Sequence, residues 1–196
     1  MGNYTIIALT GKAIIDLLCR ELVPEPIKRA ENIGLCSPDE KGNYTLGLYL
    51  YDIEENPEVK NQEKIMLDRE HFKNPPTSLN LYYMLFVSSE SEIASRASDE
   101  QKILGKAIQV LNDYSRIGID AQNMLVTESF NETMEFIDIQ GINMPFEEKQ
   151  KVYSLFEKKV FTAFFYKAGP IFIESEKIKR IRRVTQSEIT IKQKTQ

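Results

Sequence analysis

The chain has 196 residues, of which 42% are hydrophobic and 28% charged, and its formal net charge is −4. These values suit a soluble globular domain with a core of useful size. One histidine, two cysteines and no tryptophan leave little material for a metal cluster, a disulfide scaffold or histidine-based catalysis. We therefore expect Cys19 and Cys36 to be reduced thiols, and we expect no metal and no cofactor.

The charge is unevenly distributed. Between Lys177 and Lys194, seven basic residues stand against the single acidic Glu188, so the rest of the chain is strongly acidic. An acidic body with a basic tail favours electrostatic docking, either to a second copy or to another acidic surface. We divide the chain accordingly into an α+β domain, residues 1–176, and a basic C-terminal extension, residues 177–196.

The first predicted element is an amphipathic helix over residues 4–22. Its apolar residues follow helical spacing, and Lys12, Asp16 and Arg20 lie four apart on the opposite face. Two prolines, Pro24 and Pro26, are expected to end it. The same charges interrupt the apolar run, which argues against a membrane span or a secretory signal. We expect synthesis and retention in the cytoplasm until assembly.

Two strands are predicted next, over residues 31–37 and 44–54, and we expect them to pair as a hairpin. The second strand alternates large apolar residues and then runs into the polar stretch 55–78. Within that stretch, residues 64–72 predict a short strand or a helical turn. Loops of this length in compact domains are usually functional or disordered.

The end of the second strand is a candidate contact site. We expect residues 54–61 to form an exposed turn, and we select as candidate interface residues Asn56, Pro57, Lys60 and Asn61. An ordinary turn that only ends the strand accounts for the same residues equally well. His71, the only histidine, is expected to be solvated, because no second histidine is available to form a metal site.

Residues 78–89 form the most apolar predicted strand, and we expect it at the centre of the sheet. After a polar loop, a helix is predicted over 98–114, with Ser98 and Gln101 as a capping box.

The last part of the chain predicts strands at 124–129 and 133–140, followed by a helix at 144–159. The inner face of that helix is expected to carry Val152, Leu155 and Phe156. Two further strands are predicted at 160–169 and 171–181, separated at Gly169-Pro170. This order predicts an α+β fold, with a mixed or antiparallel sheet and two to three packed helices.

The sequence lacks the common catalytic, phosphate-binding and metal-binding motifs. It contains no phosphate-binding glycine loop, nucleophile elbow, paired-cysteine motif or calcium-binding loop. The acid pairs Glu54-Glu55 and Glu147-Glu148 are sequence neighbours and do not converge as a catalytic pair would. The basic tail lacks the interleaved aromatic residues that stack on bases, and the acidic body would repel phosphate. We expect no enzyme, and these features disfavour nucleic-acid binding.

Several segments occur in an order that resembles a known family. They are "LGLYLYDIEENPEVKNQ", "PTSLNLYYMLFVSSES", "EQKILGKAIQVLND", "MPFEEKQKVYSLF" and "FTAFFYKAGPIFIES". Together they resemble the N-terminal domain of the cap, or tail-terminator, proteins of phage-tail-like extracellular contractile injection systems. The resemblance covers residues 5–176.

The resemblance implies a tail-terminator-like fold and a structural role without catalysis. Such a cap is expected to be a ring, sixfold in this family, that ends the inner tube and holds the last sheath ring distal to the baseplate. Its expected partners are further copies of itself, the inner tube protein and the sheath protein, with no nucleic acid and no membrane insertion. The protein would then leave the cytoplasm as part of an assembled particle.

The basic extension supplies the remaining candidate contacts. We expect Arg180, Arg182 and Arg183 to contact a neighbouring subunit or the sheath, and residues 187–191 to add a strand to a sheet edge of the sheath. Two alternatives remain open from the sequence: a neck or tail-completion protein of a phage, and a small nucleic-acid-binding protein.

Overall fold

The structure, a computed structural model, describes residues 4–40, 42–57, 64–89, 93–119, 125–127, 134–157 and 162–180. The elements of these segments are α1 (Ile6–Leu22), β1 (Ile33–Leu35), β2 (Leu46–Glu55), β3 (Ile65–Met66), β4 (His71–Lys73), β5 (Thr77–Val87), α2 (Ile93–Asp113), β6 (Arg116–Ile119), β7 (Leu125–Val126), β8 (Glu135–Gly141), α3 (Phe146–Tyr153), β9 (Ala163–Ile173) and β10 (Ile178–Arg180).

Seven strands form the main sheet in the order β1-β2-β5-β9-β8-β6-β7. The pairing is antiparallel except between β1 and β2, which are parallel. The predicted hairpin of these two strands is therefore wrong. The chain between them returns to the start of β1, where the Thr45 N–H donates to the Asn32 carbonyl at 2.7 Å. Both strands then run in the same direction, and the sheet is mixed.

The central position predicted for β5 is confirmed, since β2 and β9 flank it. The prediction that two strands are separated at Gly169-Pro170 is wrong, because β9 runs without interruption through both residues. The register between β5 and β9 shifts between Leu79 and Leu81, opposite this point. A local irregularity of this kind accommodates a proline, which cannot donate a ladder hydrogen bond.

Helices α1 and α2 pack on one face of the main sheet and enclose the larger core. The inward residues of α1 recur three or four apart, as the sequence predicted, and Leu17, Leu18 and Leu22 are fully buried. After Leu22 the backbone becomes extended at Val23, directly before a proline. Helical periodicity alone was therefore sufficient to place α1.

The predicted start of the second long helix is wrong. Helix α2 extends from Ile93, so Ser98 lies inside the helix rather than at its N-cap. Residues 95–98 are exposed, and Ile103 is the first buried position among the α2 side chains that the structure describes. Because the early turns have no apolar stripe, their helical conformation leaves no periodic signal in the sequence.

Helix α3 packs on the opposite face and covers a smaller, aromatic core around Met84, Phe86 and Phe165. It is shorter than the predicted helix 144–159. Of the predicted inner residues, Val152 and Phe156 do pack against this core. Leu155 does not, because it lies beyond the last helical turn and is 67% exposed.

A separate three-stranded antiparallel sheet forms from β10, β4 and β3 in that order. Strands β3 and β4 come from the polar stretch after β2, where a short strand or turn was predicted. Strand β10 comes from the first residues of the predicted C-terminal extension. We call this element the small sheet.

The described residues form neither a membrane-spanning helix nor a cluster of metal ligands. None of their helices is both long and apolar enough to cross a membrane. Within the same segments, histidine, cysteine and acidic side chains nowhere gather in groups of three that would hold a metal ion.

Candidate assembly surfaces

The turn after β2 is less exposed than the sequence predicted. Asn56 is only 7% exposed, and its backbone N–H donates to the Ser78 carbonyl at 2.8 Å, which extends the β2–β5 ladder by one bond. The prediction of an exposed turn is therefore wrong for Asn56. Pro57 is exposed, as expected. The other two candidates, Lys60 and Asn61, lie outside the described residues.

Arg180, on β10, already has an ionic partner within its own chain. Its Nη2 and Nε lie 2.6 Å and 3.0 Å from one carboxylate oxygen of Glu70, and both side chains are more than half exposed. This pair links β10 to the turn that precedes β4. An exposed pair contributes little to stability on its own. The remaining arginine candidates, Arg182 and Arg183, lie outside the described residues.

The turn between β3 and β4 is held by Asp68. Its carboxylate accepts hydrogen bonds at 2.7 Å from the backbone N–H groups of Glu70 and His71. The bond from Glu70, followed by the side-chain bond to His71, lowers the pKa of Asp68. The His71 ring lies 2.8 Å from the same carboxylate and is 40% exposed. His71 is thus a partly exposed turn residue.

The small sheet carries several exposed apolar side chains. Four of its residues and loop neighbours are between 44% and 58% exposed, namely Ile65, Met66, Leu67 and Ile178. A sheet of such short strands gains stability when a hydrophobic face is covered, and exposed apolar clusters mark interaction sites. This surface was not predicted from the sequence, although its signal was present as "IML" within an otherwise polar stretch.

A hydrogen-bonded pair of a tyrosine and a carboxylate lies on the α3 side of the main sheet, next to the aromatic core. The Tyr82 hydroxyl donates to Glu54 Oε2 at 2.7 Å. Burial, and next this hydrogen bond, raise the pKa of Tyr82 to about 12. The neighbouring Tyr51 ring lies 6.2 Å away, and burial followed by the charge of Asp52 raises its pKa to about 12 as well. These groups fix the exposed end of β2 against β5.

We expect Tyr82→Phe to change the pH dependence of stability. Because the folded-state pKa of Tyr82 lies near 12, above the ordinary value of 10, its hydroxyl stabilises the fold fully below pH 10. That contribution is lost as the pH rises from about 10 to about 12. The unfolding free energy of the wild type, measured by urea denaturation, should therefore fall relative to that of Tyr82→Phe over this range. Parallel pH profiles would contradict the expectation.

Cavities lie on the surface formed by the described residues. One cavity of about 490 Å³ lies beside the end of α1 and α2, and its lining residues are Pro24, Glu25, Pro26, Lys28, Lys102 and Lys106. A second, of about 360 Å³, is mainly apolar and lies where the start of β8 meets the second half of β9. The first combines lysines with one carboxylate, and neither lining brings a nucleophile next to a base.

Two solved structures share the fold. The first is the PVC sheath/tube terminator in its extended state, from a cryo-EM structure of an extracellular contractile injection system. It is 13% identical with a TM-score of 0.60, over 100% of this chain and 66% of that chain. The second is the tube-terminating cap of the anti-feeding prophage. It is 12% identical with a TM-score of 0.55, over 93% of this chain and 60% of that chain.

These likenesses confirm the α+β, terminator-like fold expected from the sequence. The chain spans about two thirds or less of the length of each terminator. No curated protein sequence matches it significantly. The sequence pattern of one domain family matches residues 10–187, which is most of the chain. The chain belongs to the Pvc16 N-terminal domain family.

Proposed function

We propose that this chain is the structural cap of a contractile injection particle. In this role, it ends the inner tube and holds the last sheath ring at the end distal to the baseplate, as a ring of six copies. The observation that carries the proposal is the fold shared with a sheath/tube terminator along the whole length of the chain. Membership of the Pvc16 N-terminal domain family supports the same assignment.

The physical task of such a cap is to satisfy a repeating surface without reproducing it. A tube of stacked rings grows through head-to-tail contacts, so its last ring always presents an unsatisfied copy of the same surface. A terminator must match that surface on one side and fail to present it on the other. This requires a rigid scaffold and complementary edges. It requires no catalytic step, and we assign none.

The main sheet and its helices supply the scaffold. Helices cover it on both sides, with α1 and α2 on one face and α3 on part of the other. The exposed apolar small sheet and the basic extension supply candidate contacts to neighbours. We place the contacts with a neighbouring subunit, the tube protein or the sheath protein at Pro57, Lys60, Asn61, Arg180, Arg182 and Arg183. The division into residues 1–176 and 177–196 belongs to the same proposal, although β10 lies in the extension and pairs with β4.

Electron microscopy of assembled tubes tests the proposal. Tube protein of the same particle should form tubes of uncontrolled length alone. Adding this protein should give shorter tubes with a ring of density at one end, because a bound cap removes the growing surface. In whole particles, a label on this chain should appear at the end distal to the baseplate.

Other outcomes would favour other functions. A label next to a phage head or within the neck would indicate a completion protein instead. Binding to DNA or RNA that falls steeply with salt would indicate a nucleic-acid-binding protein. A protein that leaves tube length unchanged and never associates with tube ends would contradict the cap.

A further inference from the structure

One face of the small sheet presents two lysines whose charge the described chain leaves unmatched. The strand register places Met66, Phe72 and Lys179 side by side on that face. Lys64 lies two residues before Met66 and therefore on the same side, and its Nζ is 4.7 Å from the centre of the Phe72 ring. Within the segments that the structure describes, neither lysine forms an ion pair. We call these four residues the Lys64 face.

The opposite face of the small sheet differs. Its two cations each have a carboxylate in the same chain: Lys73 pairs with Glu174, and Arg180 pairs with Glu70. The contrast shows that unmatched charge is not a general property of this exposed element. The Lys64 face combines positive charge with an exposed methionine and an aromatic ring, so it fits a partner surface that is acidic and apolar.

A surface of that chemistry lies at the first turn of α3. Phe146 is 69% exposed, and Glu147 and Glu148 beside it are exposed as well. Neither glutamate forms an ion pair within the described residues. The helix dipole accounts for acids at this position, but it does not account for a large aromatic side chain left in solvent. We call these three residues the Phe146 turn.

The two surfaces lie at different places along the central strands. The small sheet adjoins the start of β5, since β4 ends at Lys73 and β5 begins at Thr77. Helix α3 packs near Met84 on the same strand. At about 3.3 Å per residue, the seven steps from Thr77 to Met84 span roughly 23 Å of strand. The small sheet and α3 therefore lie along different parts of β5, which leaves their surfaces available to two different neighbours.

We infer that the Lys64 face of one copy binds the Phe146 turn of the next copy. The contact is heterologous, and repeated head-to-tail contacts of this kind close into a ring when the rotation permits. Met66 and Phe72 receive the Phe146 ring, and the two lysines pair with the two glutamates around it. This arrangement, an apolar centre within a polar rim, is that of stable interfaces. The inference specifies the subunit contact within the proposed ring and rests on that proposed function.

Charge exchange between the two surfaces tests the inference. The variant Lys64→Glu/Lys179→Glu and the variant Glu147→Lys/Glu148→Lys should each weaken self-association at least about tenfold, which is about 1.4 kcal/mol. An equimolar mixture of the two variants can match every contact only when the two chains alternate around the ring, so the single chain that carries all four changes is the simpler sample. That chain should recover association, because every contact regains opposite charges. Sedimentation of the free protein and ring counts by electron microscopy give the measurement.

A matched control separates the contact from net charge. Lys12→Glu/Lys28→Glu makes the same change in charge at two exposed lysines that form no ion pair within the described residues, and it should leave association unchanged. All variants should retain the circular dichroism spectrum of the wild type. In a mixture of ¹⁴N- and ¹⁵N-labelled wild type, a carbodiimide should couple Lys64 or Lys179 to Glu147 or Glu148 in peptides of mixed label, which only a contact between copies produces.

Failure of the proposed contact and failure of the proposed function would give different results. Wild-type rings that bind tube ends, together with reversal variants that assemble normally, would overturn the contact and leave the cap intact. Reversal variants that fail without recovery in the fourfold chain would also overturn it, since the two surfaces would then not face each other. A wild-type protein that neither forms rings nor binds tube ends would overturn both.

Discussion

Replacing Phe165 by alanine is expected to lower the free energy of unfolding by about 3–5 kcal/mol. Phe165 is 1% exposed and lies at the centre of the aromatic core under α3. Its ring meets Tyr51 edge to face at 5.5 Å and lies 6.1 Å from Tyr153 on α3. Removing the ring leaves a cavity and removes contacts between α3 and the sheet, because Tyr153 and Lys149 both lie against it.

Chemical denaturation followed by circular dichroism gives the measurement. Phe146→Ala is the matched control, because it deletes the same ring from α3, the helix that packs on Phe165, at a position that is 69% exposed. Its effect on monomer stability should stay within about 0.5 kcal/mol. A loss of less than about 1 kcal/mol for Phe165→Ala would show that the aromatic core does not hold α3.

Gly169→Ala is the second substitution with a large expected effect, a loss of roughly 3 kcal/mol. Gly169 has a φ of +156°, in a region where side chains are disfavoured. A Cβ atom there would also lie 2.8 Å from Asn80 Oδ1 and 3.0 Å from the Leu79 carbonyl oxygen. The expected loss is at the upper end of the cost of unfavourable backbone geometry, because strain and crowding act together at the irregularity between β5 and β9.

The same substitution at Gly105 should have the opposite sign. Gly105 is exposed within α2, and nothing lies within 4 Å of a Cβ atom built there. Gly105→Ala should therefore raise the stability by about 0.5–1 kcal/mol, since alanine loses less backbone entropy in a helix. Thermal unfolding of both variants checks the pair. Equal effects at the two positions would refute the role given to the Gly169 backbone.

Local patterns in the sequence were sufficient for a large part of the fold. The spacing of apolar residues predicted α1 and its end at the prolines, and the unbroken apolar run predicted that β5 lies at the centre. Where local pattern was absent, the prediction failed, as at the first turns of α2, whose early residues are exposed, and at β6, which is only four residues long. The order of whole segments was needed to predict the family.

The contact surfaces were harder to predict for a related reason. Asn56 belongs to a polar sequence but is buried, because a backbone bond to Ser78 extends the ladder past the end of the apolar pattern. Arg180 is one of several cations in a basic run, and only the fold shows that Glu70, 110 residues away in sequence, neutralises it. Charge counts along the chain cannot distinguish lysines that form an ion pair from lysines that do not.

By itself, the sequence determined the class of fold, the faces of the long elements and the family, because each of these depends on spacing between residues close in the chain. Only the tertiary structure decided the parallel pairing of β1 with β2, the passage of β9 through Pro170, and the joining of β10 to β4. These depend on which distant segments meet and in which direction, and local periodicity carries no information about either. The exposed apolar and charged faces of the small sheet arise from that same long-range pairing.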